Sequence, residues 1–152
     1  MLHSSLAALP NNRTLRLELA WRLVTLPSQH QDLAKALASI RQAQLQQEDD
    51  RSRLVYAFVL SALGQTLEAL SMIDQTQPDE DHDRMYATCL KARLLAESGK
   101  AEEARQCFAN LQTIESRIDE SVQPTHAFGV WESFRADTAK KVARASLEAG
   151  LP

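Results

Sequence analysis

Histidine, cysteine and clustered carboxylates are the side chains that most often carry chemistry. This chain holds four His, two Cys and one dense acidic run, "DEDHD", at residues 79–83. His3, His30, His82 and His126 are scattered, and none stands four residues from another, so no helix can present two imidazoles to one metal ion. The acidic run offers four carboxylates and an imidazole. It lacks the glycine and the terminal glutamate with which a calcium-binding loop turns and closes. Carboxylates placed there suit the positive end of a helix, and a solvated helix start is the expectation. No HExxH pair, glycine-rich phosphate loop or nucleophile elbow is present. The expectation is a protein that is not an enzyme, with no metal and no cofactor.

Cys89 and Cys107 stand on either side of Gly99. A hairpin turning at that glycine would bring them to nearly the same level. Two readings follow: small buried thiols that pack a core, or a redox-sensitive pair. Two cysteines supply no disulfide framework, which points to a reducing, cytoplasmic setting. The opening "MLHSSLAALPNN" has no basic region and too short an apolar stretch for a secretory signal, and no window approaches a membrane span.

These residues must be positioned by helices. The 152 residues are enough for a single domain with a real core. Ala, Leu, Gln, Glu and Arg dominate, whereas Gly (four) and Pro (five) are few. Straight-chain residues lose little freedom in a helix, and no alternating stretch suggests a sheet, so the fold class is all-α. The net charge of −3 gives no reason to expect nucleic acid as a partner. Residues 49–83 carry eight acids against two bases, a solvated face or a surface for a basic partner.

Seven main helices are predicted. The first runs from about Arg13 to Leu26, capped by Asn12, with Leu15, Leu19, Trp21, Leu23 and Val24 apolar, and Pro27 stops it. Ser28 opens the second with Gln31 as capping-box partner, and Leu33, Leu37 and Ile40 form its buried stripe. The third begins at Asp49 or Asp50 and ends at Gly64, and the fourth is the short "TLEALSMIDQ" before Pro78. The fifth spans about Asp81 to Ser98 and closes at Gly99. The sixth runs from Ala101 to about Glu120. After a break at Pro124 the last, about Thr125 to Ala149, carries Phe128, Trp131, Phe134, Thr138, Val142 and Ala145 on one stripe.

Sliding the chain by 35 residues superposes Ala57 on Ala92, Leu60 on Leu95, Gly64 on Gly99, Glu68 on Glu103 and Ala69 on Ala104. The matches fall on small residues where antiparallel helices approach and on the glycine of the turn. Ile73 and Phe108 follow together as the large apolar residue one turn on. This pattern resembles the tetratricopeptide repeat, whose period is about 34 residues. It departs from the family at Arg53 and Thr88, where a tryptophan-like residue is usual, at Thr66 and Ala101, where an aromatic is usual, and in its early Pro78. The likeness is good over residues 50–115, partial over 13–47 and absent from the last helix.

The resemblance implies a right-handed stack of about three helical hairpins: a weak repeat over 13–47, repeats over 50–78 and 81–118, and a capping C-terminal helix over 125–149. It further implies a concave groove lined by the first helix of each pair, here Arg51, Leu54 and Phe58, then Tyr86, Cys89 and Arg93. The carboxylate clamp of some family members is not matched. Leu54 and Phe58 suit either core packing or an apolar partner segment, whereas Tyr86 and Arg93 can present polar ends to solvent. The expected work is holding an apolar helix or extended segment of another protein, as an adaptor or as a chaperone of the bacterial secretion type. A sensor module binding a peptide or small ligand is the alternative. The last helix serves as a cap or as a dimer interface, so a homodimer is allowed.

Overall fold

A computed structural model of the chain describes residues 13–25, 32–118 and 128–151, apart from the side chains of Thr25 and residues 128–131. Every regular element among them is a helix, which establishes the all-α class. The expected cap at Asn12, stop at Pro27, Ser28–Gln31 capping box and break at Pro124 lie outside the described residues, as do the side chains of Phe128 and Trp131. Two compact units divide the chain, the first ending at Thr76 and the second beginning at Gln77.

The first unit contains α1 (Arg13–Thr25), α2 (Leu33–Gln46), α3 (Asp50–Ala62) and α4 (Thr66–Asp74). Helix α1 packs on both α2 and α3. That double contact explains why Leu17, Leu19, Ala20, Trp21, Leu23 and Val24 are all buried, leaving little of α1 for solvent. Helix α2 starts later than expected. Asp32 is its cap, non-helical at φ −111°, and its carboxylate accepts the Lys35 amide. The buried stripe also shifts, to Ala36, Ser39, Ile40 and Ala43, with Leu33 and Leu37 only half-buried at its margins. Small residues let α2 lie close to both neighbours, so the leucines need not face inward.

Asp49 holds the entry to α3. Its carboxylate accepts the Ser52 amide at 2.9 Å while the Ser52 hydroxyl lies 3.0 Å from the Asp49 amide, a reciprocal capping box. Arg13 reaches back from α1, donating to the Gln47 carbonyl at 3.0 Å and to the Asp49 carboxylate at 2.7 Å. Burial raises the Asp49 pKa, but the Ser52 and Arg13 hydrogen bonds and the Arg13 charge outweigh it and hold the carboxyl below 3.8. A depressed carboxylate stabilises the fold above its unfolded pKa and loses that stabilisation as pH falls through the folded value. Asp49→Ala should cost about 1–2 kcal/mol in urea unfolding near neutral pH. The difference from the wild type should shrink as pH falls below 3.8.

The second unit contains α5 (Asp81–Glu97), α6 (Ala101–Arg117) and α7 (Phe128–Glu148). Each of the three packs on the other two. Helix α5 is buried nearly all round, through Met85, Tyr86, Ala87, Cys89, Leu90, Ala92, Leu94, Leu95 and Ala96, as a helix covered on two sides must be. Helix α6 ends at Arg117, short of the expected Glu120, because Ile118 turns into extended backbone at ψ 128°. Helix α7 presents Thr138, Val142 and Ala145 to this core. Arg135 fastens it to α6 through a two-pronged pair with Glu115 at 2.8 and 3.0 Å, its guanidinium lying over Phe108.

One hairpin in each unit uses the same closure. Ala57 and Ala69 are fully buried where α3 meets α4, and Ala92 and Ala104 where α5 meets α6. Gly64 and Gly99 stand at φ 80° and 79°. In both turns the residue after the glycine donates back five positions, Gln65 to Leu60 and Lys100 to Leu95, at 2.9 Å. A Cβ at either glycine would meet nothing within 4 Å, so the cost of a side chain lies wholly in the left-handed backbone. Gly64→Ala and Gly99→Ala should each lose about 1–2 kcal/mol, and by closely similar amounts in denaturant titrations.

Candidate functional site

The positions assigned to a groove on α3 and α5 are mostly inside their units. Leu54 is buried, and Phe58, 8% exposed, meets Trp21 of α1 edge-on at 4.9 Å between ring centroids. Arg51 alone among the three α3 positions is exposed. On α5 the expectation that Tyr86 shows a polar end to solvent is overturned: the residue is 4% exposed and its hydroxyl oxygen is buried. Cys89 is fully buried, with the buried Thr138 of α7 beside it. Arg93 is half-buried and committed to Glu97 at 3.2 Å and Asp137 at 3.3 Å, with its guanidinium over the Phe134 ring. The structure therefore brings Cys89 and Arg93 together under α7.

Neither cysteine is in a disulfide, and the two face different surroundings. Cys89 is turned to Thr138, whereas Cys107 donates to the Thr88 carbonyl at 3.3 Å on the α5–α6 side. Burial pushes the Cys89 thiol up to about 12, opposed in part by Thr138, Arg135 and Arg93. A thiol held protonated in this way is a packing group at neutral pH.

The acidic run does what helix starts do. Asp81 and Asp83 occupy the first turn of α5, and Arg84 donates to the Pro78 carbonyl at 2.8 Å and pairs with Asp81 at 3.3 Å. Among the described residues no three His, Cys, Asp or Glu side chains converge as a metal site, and no helix is long and apolar enough to cross a membrane.

One concavity among the described residues lies between α5 and α6. It encloses about 380 Å³, with Thr88 and Lys91 on the α5 wall and Cys107, Asn110, Thr113, Ile114 and Arg117 on the α6 wall. Cys107, Asn110, Ile114 and Arg117 follow one stripe of α6, three or four residues apart. Two cations and three neutral polar side chains line it among the described residues. The neighbouring acid on α6, Glu115, is occupied by Arg135.

No known protein family, curated protein or solved structure matches the chain. The assignment of work therefore rests on the hairpins and on this cleft.

Of the cleft residues only Cys107 and Thr88 were named from sequence, neither as part of a cleft. Lys91 and Arg117 read as solvated charges on helix faces, and the spacing of Asn110 and Ile114 is that of any amphipathic stripe. A signal was present, however: on α6 the polar stripe 107–110–114–117 lies beside the buried stripe Ala104–Cys107–Leu111.

Proposed function

We propose that the chain is a non-enzymatic protein-interaction module built from tetratricopeptide-like hairpins. The hairpins stack as a short right-handed solenoid capped by α7, and the module acts as an adaptor or as a chaperone of the bacterial secretion type. The observation that carries this reading is the pair of hairpins α3–α4 and α5–α6. They share buried alanines at the helix crossing, glycines at φ 80° and 79°, and the same closing hydrogen bonds. Tandem hairpins of this kind make extended surface cheaply, and proteins use such surface to hold other chains. The apolar-segment partner was expected from Leu54, Phe58 and Tyr86, and their burial shifts the contact to what remains outside: Arg51 on α3 and the polar cleft between α5 and α6.

The test is affinity capture by the full chain from the cells that make it, at physiological salt. A stoichiometric protein partner is expected, lost or weakened with Arg51→Glu or with reversal of the cleft charges, and retained with Lys140→Glu, an exposed cation on α7. Absence of any stoichiometric partner rules the reading out.

The cleft also favours a second reading, a sensor that takes a peptide or small ligand. Its volume lies in the range of roughly 300–1,000 Å³ usual for ligand sites. A sensor raises its melting temperature with a small molecule and no protein present.

A further inference from the structure

We infer that α7, from Phe134 onward, is a displaceable occupant of a receptor on α5 and α6, and that a partner helix of matching chemistry takes its place. The inference builds on the protein-interaction reading above and names a class of partner for it. The first ground is what α7 covers. Cys89 and Arg93, two of the α5 positions that the repeat register assigns to a groove, lie under this helix. Thr138 stands beside Cys89, and Asp137 pairs with Arg93 at 3.3 Å. The surface accepts a helix, because one of the chain's own lies on it.

The second ground is the kind of contact. Two arginines cross the boundary in opposite directions. Arg93 of α5 lies over the Phe134 ring and reaches Asp137, while Arg135 of α7 lies over the Phe108 ring and reaches Glu115. The four charged side chains, Arg93, Asp137, Arg135 and Glu115, are 28%, 48%, 33% and 25% exposed, so salt screens both clasps. Among the described side chains of α7, those buried are Thr138, Val142 and Ala145. A narrow strip of small residues rimmed by half-solvated charge is the make-up of a contact that exchanges, whereas permanent interfaces resemble a core cut in half.

The third ground is a defect in the fit. Thr138 is fully buried, and its hydroxyl has no hydrogen-bond partner among the described residues. The thiol beside it, Cys89, is a weak donor and a weak acceptor. A hydroxyl left in this state opposes its own burial, and an apolar side chain of the same shape carries no such penalty. Helix α7 is therefore not the best occupant of this surface. A better one carries an arginine for Glu115, an acid two residues later for Arg93, and a small apolar residue directly after the acid. An amphipathic partner helix with that pattern matches the receptor in charge and in shape.

Fluorescence polarisation of the full chain with a labelled, end-blocked peptide of residues 132–148 carrying Thr138→Val tests this. The peptide should bind at least about tenfold tighter than its counterpart with Arg135→Glu and Asp137→Lys added. In the chain, Asp137→Ala loosens the resident helix and should tighten the peptide about threefold. Thr138→Val in the chain seats the resident helix better and should weaken the peptide about tenfold. Binding lost with Arg93→Glu in the chain should return with a peptide bearing Asp137→Lys. Lys140→Glu in the chain should change nothing, and circular dichroism should show every variant folded. Alkylation of Cys89 should follow the same order, faster than wild type with Asp137→Ala and slower with Thr138→Val. Equal binding of the charge-reversed peptide overturns the inference, as does indifference of both peptide binding and Cys89 labelling to Asp137→Ala and Thr138→Val. A protein partner captured equally by those two variants overturns this receptor and spares the interaction module. Peptide exchange as predicted, in a chain that captures no partner, does the reverse.

Discussion

Replacing Phe58 with glutamate is expected to unfold the first unit, with a loss of helical circular dichroism and of cooperative melting. Phe58 packs edge-on against Trp21 and is shut away from solvent. Removing a buried phenylalanine side chain costs about 3–5 kcal/mol. Adding a carboxylate with no cationic partner in the same place costs several more, or forces it to stay protonated. A small unit has a total stability of about 5 kcal/mol, so the change takes all of it. Trp21 emission in a Trp131→Phe background reports the loss from within the first unit. The same substitution made at a solvent-facing groove position would leave the fold intact and remove only a partner. A folded, fully helical Phe58→Glu protein would therefore restore Phe58 as a contact residue.

The second large effect is alkaline. Burial pushes Cys89 from 9.0 up to about 12 and Tyr86 from 10.0 up to about 12, the latter helped by the neighbouring Cys89. Both groups are neutral when protonated, and both hold their protons longer in the fold than in the unfolded chain. Their stabilisation is therefore complete below pH 9.0 and is lost progressively as pH rises through about 12. For Cys89 alone the full difference is on the order of 4 kcal/mol. The urea midpoint of the second unit should fall from pH 9.0 to about pH 12, and Cys89→Ala should flatten the earlier part of that fall. Native alkylation checks the same burial from another side: Cys89 should react at the rate of global or local opening, far more slowly than an exposed thiol. A midpoint independent of pH, or rapid labelling of Cys89, would contradict it.

What could be read from sequence was local. Gly64 and Gly99 declared their turns because a chain reversal after an amphipathic run needs a residue that accepts positive φ. Asp49 declared a cap because its carboxylate sits before a helical stretch. The alanines at 57, 69, 92 and 104 were legible through their spacing, since close helix crossings exclude larger side chains. Side-chain surroundings were far less legible. Tyr86 could have faced water; it is buried because α5 is covered by both α6 and α7, and nothing near residue 86 records a helix that begins at Phe128. Leu37 looked like core and is half-buried, whereas Leu45 and Leu67 are 81% and 73% exposed. An apolar stripe says that a face is buried somewhere, and the partner helix decides how wide that face is. The cleft was invisible for the same reason. It is made by two walls, and each wall alone is an ordinary polar helix surface.

The pairing pattern has a kinetic consequence. Among the described residues the main helix pairs of each unit lie one or two places apart along the chain: α1 with α2 and α3, α2 with α3, α3 with α4, and α5, α6 and α7 with one another. Short loops must close before any of these contacts is rewarded, and short closures cost little entropy. Such chains fold in microseconds to milliseconds. Within each unit a hairpin can thus form while the rest is still being made, and the glycine turn at residue 64 can draw α3 and α4 together as soon as Asp74 has left the ribosome.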